Sequence, residues 1–168
     1  MTAPADYLAL LMNSVGPSPT AQRIVDALVP EFADLAQVFV SEGDRLRIVA
    51  FRHIDPEQHP VLEQLAAAHR PSIDDRRDPV AQVLRSGEPR MSTWIRREQV
   101  ETITSDARVH AIFDAIRPRN VVVVPLERAG ERYGALVMAL SSSGRRFIEG
   151  DLEFFREFAA RVGPEIAL

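Results

Sequence analysis

The stretch from Arg119 to Leu140 constrains this chain most. Two apolar runs, 119–127 and 131–140, flank a polar turn at Arg128–Glu131, where Gly130 can take the positive φ that a tight reversal needs. Side chains on a strand point alternately to the two faces of a sheet, and both runs are apolar at odd and even positions alike. A hairpin of this kind must be covered on both sides. One cover is the amphipathic helix predicted over about 149–167. It follows the Ser141–Gly144 loop and puts Leu152, Phe155, Ala159, Val162 and Ile166 on one stripe.

Upstream, the periodicity predicts a short helix over Ala5–Val15, with Leu8, Leu11 and Val15 on one face. Gly16 and the two prolines after it break that helix. Thr20 is expected to cap a second, with Ile24, Val25, Leu28 and Val29 at helical spacing. Leu35–Ser41 and Leu46–His53 read as strands joined by a turn at Glu42–Asp44. Asp55-Pro56 suggests a capped turn, and a main helix is expected from about Pro60 to His69. Asp78-Pro79 repeats the cap-plus-proline signal, with Gly87 as the stop for a short helix over Val80–Ser86. A short strand is expected at Arg90–Trp94. The long connection 95–118 carries one predicted helix, capped near Ser105, with Val109, Ile112, Phe113 and Ile116 on one face. Hairpin pairs of strands separated by helices give an α+β fold, an antiparallel sheet with helices on both faces.

Composition removes several chemistries. The length of 168 residues fits one domain, and a 46% hydrophobic content supplies an ordinary packed core. No apolar stretch approaches the roughly 20 residues of a membrane span. The N-terminus lacks the basic start of a secretory signal, so a cytoplasmic location is the default expectation. There is no cysteine, which excludes disulfides, thiolate metal sites and cysteine nucleophiles. All 20 basic residues are arginine, so a Schiff-base or phosphate-loop lysine is absent too. A net charge of −4 argues against a nucleic-acid partner, which usually requires a basic face.

The residues that carry a family resemblance are Val-Val-Val-Pro-Leu at 122–126, Gly-Glu-Arg-Tyr-Gly-Ala-Leu at 130–136 and Arg-Arg-Phe-Ile-Glu-Gly-Asp-Leu at 145–152. Upstream they are joined by Phe-Arg-His-Ile-Asp-Pro at 51–56 and Val-Leu-Arg-Ser-Gly-Glu-Pro at 83–89. In this order and spacing the chain resembles a GAF domain, the small-molecule-sensing relative of the PAS fold. The subgroup is that of bacterial signalling proteins, where such a domain commonly precedes a PPM-type phosphatase or a histidine kinase. Residues 1–18 would then be an N-terminal helix and linker, and 19–168 the domain. The resemblance implies an antiparallel sheet of about five to six strands, with the N- and C-terminal helices on one face. Those helices often build a homodimer, which here would use Leu8, Leu11, Val15, Leu152, Phe155 and Val162. A ligand pocket is implied on the other face under segment 90–118, drawing on Trp94, Val109, His110, Phe113, Val122 and Val124. The helix ending at Ile166–Leu168 is expected to continue into an output domain.

The departures from the family pattern are informative. Ile148 stands where the family usually has Ser or Thr before the last helix, which removes a side-chain cap worth about 1 kcal/mol. The Asn-Lys-Phe-Asp-Glu pattern of cyclic-nucleotide-binding members is missing, as are the cysteines of the bilin-binding and methionine sulfoxide reductase members. No cofactor is therefore assigned. Of the four histidines, His53 and His59 flank a turn and suit a surface or capping role, and no pair has the helical spacing of a metal clasp. Asp74, Asp75 and Asp78 alternate with arginines in a loop, and Asp78 already caps a helix. The expectation is a sensory or regulatory domain with no catalysis of its own, against the alternative of a dimerisation scaffold without a ligand. A core filled by Trp94, Phe113 and Ile116 favours the scaffold, and an enclosed cavity with convergent polar groups favours sensing.

Overall fold

A computed structural model describes residues 17–92 and 95–166. The elements run α1 (Pro17–Leu28), β1 (Leu35–Glu42), β2 (Arg45–His53), a 3₁₀ turn (Pro56–Gln58), α2 (His59–Ala68), α3 (Pro79–Ser86), β3 (Arg90–Ser92), α4 (Arg97–Ile103), α5 (Ala107–Ile116), β4 (Asn120–Arg128), β5 (Glu131–Leu140), α6 (Glu149–Val162) and a closing 3₁₀ turn (Gly163–Glu165). The five strands form one sheet in the order β2-β1-β5-β4-β3, and every pairing is antiparallel.

The double burial read from the hairpin is realised in β5, where every residue from Gly134 to Leu140 is buried. Alternation divides its side chains between two cores. Leu136, Met138 and Leu140, with Val122, Val124 and Leu126 of β4, pack under α1 and α6. From the helices this layer receives Ile24, Val25 and Leu28 on one side and Phe155, Phe158, Ala159 and Val162 on the other. Ala135, Val137 and Ala139, with Val123 and β1 residues Leu35 and Phe39, turn to the opposite face under α2, α3 and α5.

Local chemistry fixes the helix ends. Asp78 accepts a hydrogen bond from the Ala81 N–H (2.9 Å) and Gly87 closes α3 in the left-handed region, as the cap-plus-proline and glycine signals require. Arg132 on β5 then satisfies the helix's last carbonyls, donating to Leu84 (2.6 Å) and Arg85 (2.7 Å), and so ties α3 to the hairpin. At α6 the missing Ser or Thr cap is offset by Asp151, whose carboxylate accepts from the Ile148 N–H at 2.8 Å.

Four expectations need adjustment. Helix α1 starts at Pro17 rather than after Thr20, because proline is tolerated in a first turn whose N–H groups have no intrahelical partner. Segment 95–118 holds two helices rather than one. The first, α4, buries only Val100 and is too short to show a period. Helix α6 ends at Val162, because Pro164 has no N–H to continue the ladder, and the chain tightens into a 3₁₀ turn. His53 is buried rather than exposed. Its Nδ1 accepts from the Asp55 N–H (2.9 Å), and burial pushes its pKa down against the raising effect of Asp55 and Asp34. The helix expected over 5–15 lies outside the described residues.

Two positions hold the layers in register. At Gly134, β5 lies so close to β1 that a Cβ would sit 2.1 Å from the Phe39 carbonyl oxygen. Asp34, fully buried before β1, accepts from the Ser141 (2.8 Å) and Ser143 (3.1 Å) N–H groups and from Arg145 (3.3 Å). Burial alone would raise its carboxyl pKa, but these donors outweigh burial and hold it below the usual range. Gly134→Ala is expected to cost on the order of 3 kcal/mol in urea unfolding, because backbone rather than a flexible side chain must yield. Asp34→Asn should cost about 2 kcal/mol at neutral pH. Since the folded pKa is depressed, the stabilisation by Asp34 is complete above the unfolded value near 3.9 and is lost as pH falls through the folded value. The stability gap between wild type and Asp34→Asn should therefore narrow below about pH 4.

Candidate functional site

The sheet face under α2–α5 holds a cavity of about 110 Å³. Strand register builds its floor. Gln37 pairs with Val137, Val137 with Val123, and Val123 with Arg90, so these four form one row across β1, β5, β4 and β3. Leu35, Ala139, Val121 and Ser92 form the adjacent row. Residues directly opposite in a ladder share a face, and all eight line the cavity. The roof is made by Leu65 of α2, Val80 of α3, Val100 of α4 and Phe113 and Ile116 of α5.

The lining is mainly aliphatic and aromatic, with a few polar groups at defined places. Gln37 is 5% exposed, and its Nε2 has no hydrogen-bond partner among the described residues. Asp78 is committed to the Ala81 N–H and to His69 Nε2 at 3.2 Å. Arg90 and Ser92 stand at the other end of the two rows, on the edge strand, and Arg90 is exposed and makes no ion pair among the described residues. Among those residues no three His, Asp or Glu side chains gather as a metal site needs. No described helix is long and apolar enough to cross a membrane.

Outside α4 and α5 lies a larger groove of about 620 Å³, open to solvent and lined by Arg96, Arg97, Arg117 and Arg119. Arg97 is paired with Glu101 (3.4 Å) and Asp114 (3.1 Å). Ile95, Val100, Phe113 and Pro118 line both groove and cavity, so little more than one layer of side chains divides them. The cavity is the more enclosed of the two and has polar groups at its two ends.

A family model for the GAF domain matches residues 17–167. The chain belongs to the GAF domain family. Solved structures agree on the fold. The GAF domain of an Acinetobacter phosphoenolpyruvate-protein phosphotransferase superposes with a TM-score of 0.71 at 12% identity, covering 97% of this chain and 89% of that one. The second GAF domain of DevS from Mycobacterium smegmatis gives 0.60 at 20% identity, covering 97% and 92%. A free methionine-R-sulfoxide reductase from Neisseria meningitidis, solved with its substrate, gives 0.67 at 14% identity, covering 98% and 86%. At such identities the likeness extends to the fold alone. No curated protein matches the sequence significantly.

Within this GAF fold the residues assigned to the pocket from the sequence separate. Phe113 lines the cavity. Val109 is buried beside it in the same core without lining it. His110 is half-buried, and its Nε2 donates to the Thr104 carbonyl at 2.5 Å, tying the end of α4 to α5. Val122 and Val124 face the other way, into the core beneath α1 and α6, while Val121 and Val123 face the cavity. The one-residue error in parity arose because β4 is apolar on both faces. Trp94 lies outside the described residues, as do Leu8, Leu11 and Val15. Of the residues assigned to an interface, Phe155 and Val162 are core residues at 1% exposure, and Leu152 is half-buried against that core. Sequence reading missed Gln37, Arg90 and Ser92. The available signal was Gln37 as the one polar residue in the buried run Leu35–Val40.

The parity has a direct test. Val123→Ile places its extra methyl beside free volume and should change the unfolding free energy by less than about 1 kcal/mol. Val124→Ile overpacks a filled core and should cost about 1–3 kcal/mol, measured by urea titration of both variants.

Proposed function

We propose that this GAF domain is a non-catalytic sensory or regulatory module of a bacterial signal-transduction protein, acting in the cytoplasm, and that its ligand occupies the cavity over the Gln37 and Leu35 rows. The observation that carries this reading is a mostly apolar cavity bordered by a buried amide donor that has no partner among the described residues. A core filled by Trp94, Phe113 and Ile116 would instead favour a scaffold; Trp94 lies outside the described residues, and Phe113 and Ile116 border the cavity. The sequence has no cysteine with which to repeat a thiol-based reductase chemistry on this fold.

The route of a signal follows from strand alternation. Val137 and Ala139 touch the cavity, while their neighbours Leu136, Met138 and Leu140 touch α1 and α6. Tyr133, at the start of the same strand, donates to the Gly163 carbonyl at 2.5 Å, and burial pushes its phenol up to about 12. A ligand that favours one position of β5 thereby favours one position of the end of α6, and an attached output unit would read that preference. A homodimer through the terminal helices would draw on Leu152 and on Leu8, Leu11 and Val15, since Phe155 and Val162 are committed to the core.

Native mass spectrometry of the protein purified from its own host should give a reproducible adduct of one mass. Ala139→Leu, which fills cavity volume, should abolish that adduct while keeping the cooperative unfolding transition. A clean unliganded mass at all concentrations would reject the ligand and leave the scaffold reading.

A further inference from the structure

The two ends of the cavity floor differ in chemistry. At the inner end, on β1, the Gln37 amide presents an N–H donor that is nine-tenths buried and has no partner among the described residues. Burying such a donor is unfavourable unless an acceptor meets it. At the outer end, on edge strand β3, Arg90 presents a guanidinium with no ion pair among the described residues, with Ser92 one row away. The Cα atoms of Gln37 and Arg90 are about 14 Å apart, three strand spacings. Between them the floor is made by Val137 and Val123, both apolar. The volume of about 110 Å³ is smaller than the roughly 150 Å³ at which an engineered apolar cavity accepts benzene, so the polar ends of a ligand must lie beyond it, one of them at exposed Arg90.

Charge gives the site a direction. Asp78 on the roof is already taken up by the Ala81 N–H and by His69, while Arg90 at the other end is available to attract an anion. Arg96, Arg117 and Arg119 add positive potential behind the wall formed by Ile95, Val100, Phe113 and Pro118, where Arg97 is offset by Glu101 and Asp114.

Taking the cavity as the ligand site, we infer that its ligand is a small monocarboxylic acid with a compact apolar body, its carboxylate held by Arg90 and Ser92 and a second acceptor held by the Gln37 amide. Arginine suits a carboxylate because its planar fork donates two parallel hydrogen bonds. Gln37 discriminates among acids, since a body without the second acceptor leaves the buried donor unpaired.

The test uses the full chain and three probes: 4-hydroxybenzoate, benzoate, which lacks the second acceptor, and methyl 4-hydroxybenzoate, which lacks the charge. Binding is followed by the fluorescence of Trp94, the only tryptophan, which lies in sequence between cavity-lining Ser92 and Ile95, and by the methyl resonances of Val121, Val123 and Val137. The hydroxy acid should bind about tenfold more tightly than either of the other probes. Arg90→Gln, at an exposed position, should weaken both acids about tenfold and leave the ester unchanged. Gln37→Met, close in volume, should reduce the hydroxy acid to the affinity of benzoate and leave benzoate unchanged. If the ester binds as well as the acid, or Arg90→Gln has no effect, the carboxylate assignment is overturned while the cavity remains a ligand site. If none of the three binds saturably, the ligand class is overturned, and the mass measurement on host-purified protein separately decides whether the cavity takes any ligand.

Discussion

The structure depends on the burial of both faces of the β4–β5 hairpin. Every residue of β5 beyond Tyr133 is removed from water, so the chain must supply a helical layer on each side of the sheet. The two layers come from different parts of the sequence. The ends of the described chain, α1 and α6, cover one face, and the middle, α2 to α5, covers the other. That division sets the sheet order: β1 pairs with β5 in the interior, and the short β3 lies at the edge where the helical middle segment joins it. Gly134 belongs to the same constraint, because the central pairing brings β5 too near the Phe39 carbonyl for any Cβ.

Double burial also gives the domain its means of coupling. A sheet buried on one side would expose its far face to water, and displacement of that face would be damped by solvent. Here Val137 and Met138 are neighbours on one strand, the first against the cavity layer and the second against the terminal helices. A shift of a few tenths of an ångström in β5 must be accommodated by close-packed side chains on both sides. Tyr133 and Arg132 extend the coupling beyond packing. Tyr133 binds the turn after α6, and Arg132 binds the end of α3, so adjacent residues of β5 are anchored to the two opposite layers.

The fold was legible in the sequence where chemistry was local. The Asp78-Pro79 cap, the Gly87 stop and the Gly130 turn each need a particular residue at a particular place, and the residues are there. The candidate site was less legible. A pocket residue is defined by the face its side chain takes, and in an alternating strand with one polar face that could be read by counting. In β4 all of Val121–Val124 are apolar, so the count has no origin, and Val122 and Val124 were assigned to the wrong layer. The register that settles parity is a relation among β1, β5, β4 and β3, and no single segment contains it. Helix α4 escaped for a related reason: with only Val100 buried it has no period to detect.

Two buried polar residues on or beside β1 distinguish structural from functional polarity. Asp34 is fully buried, and donors from Ser141, Ser143 and Arg145 satisfy it, with Arg145 also reaching the carbonyls of Pro30 and Glu31. It fastens the start of β1 to the end of β5, and folding alone accounts for it. Gln37, three residues on, has a donor without a partner among the described residues, in a run that is otherwise apolar on both faces. Other buried polar atoms lack partners too, among them Asn120 Oδ1 and Ser141 Oγ, but those residues do not border the cavity. Leucine or methionine at position 37 would fit a strand of this composition and would leave nothing unpaired. An amide there is unfavourable by about 1–3 kcal/mol until an acceptor enters. That cost falls at one end of an open row whose other end is Arg90, which is where a polar group selected for recognition rather than for packing would lie.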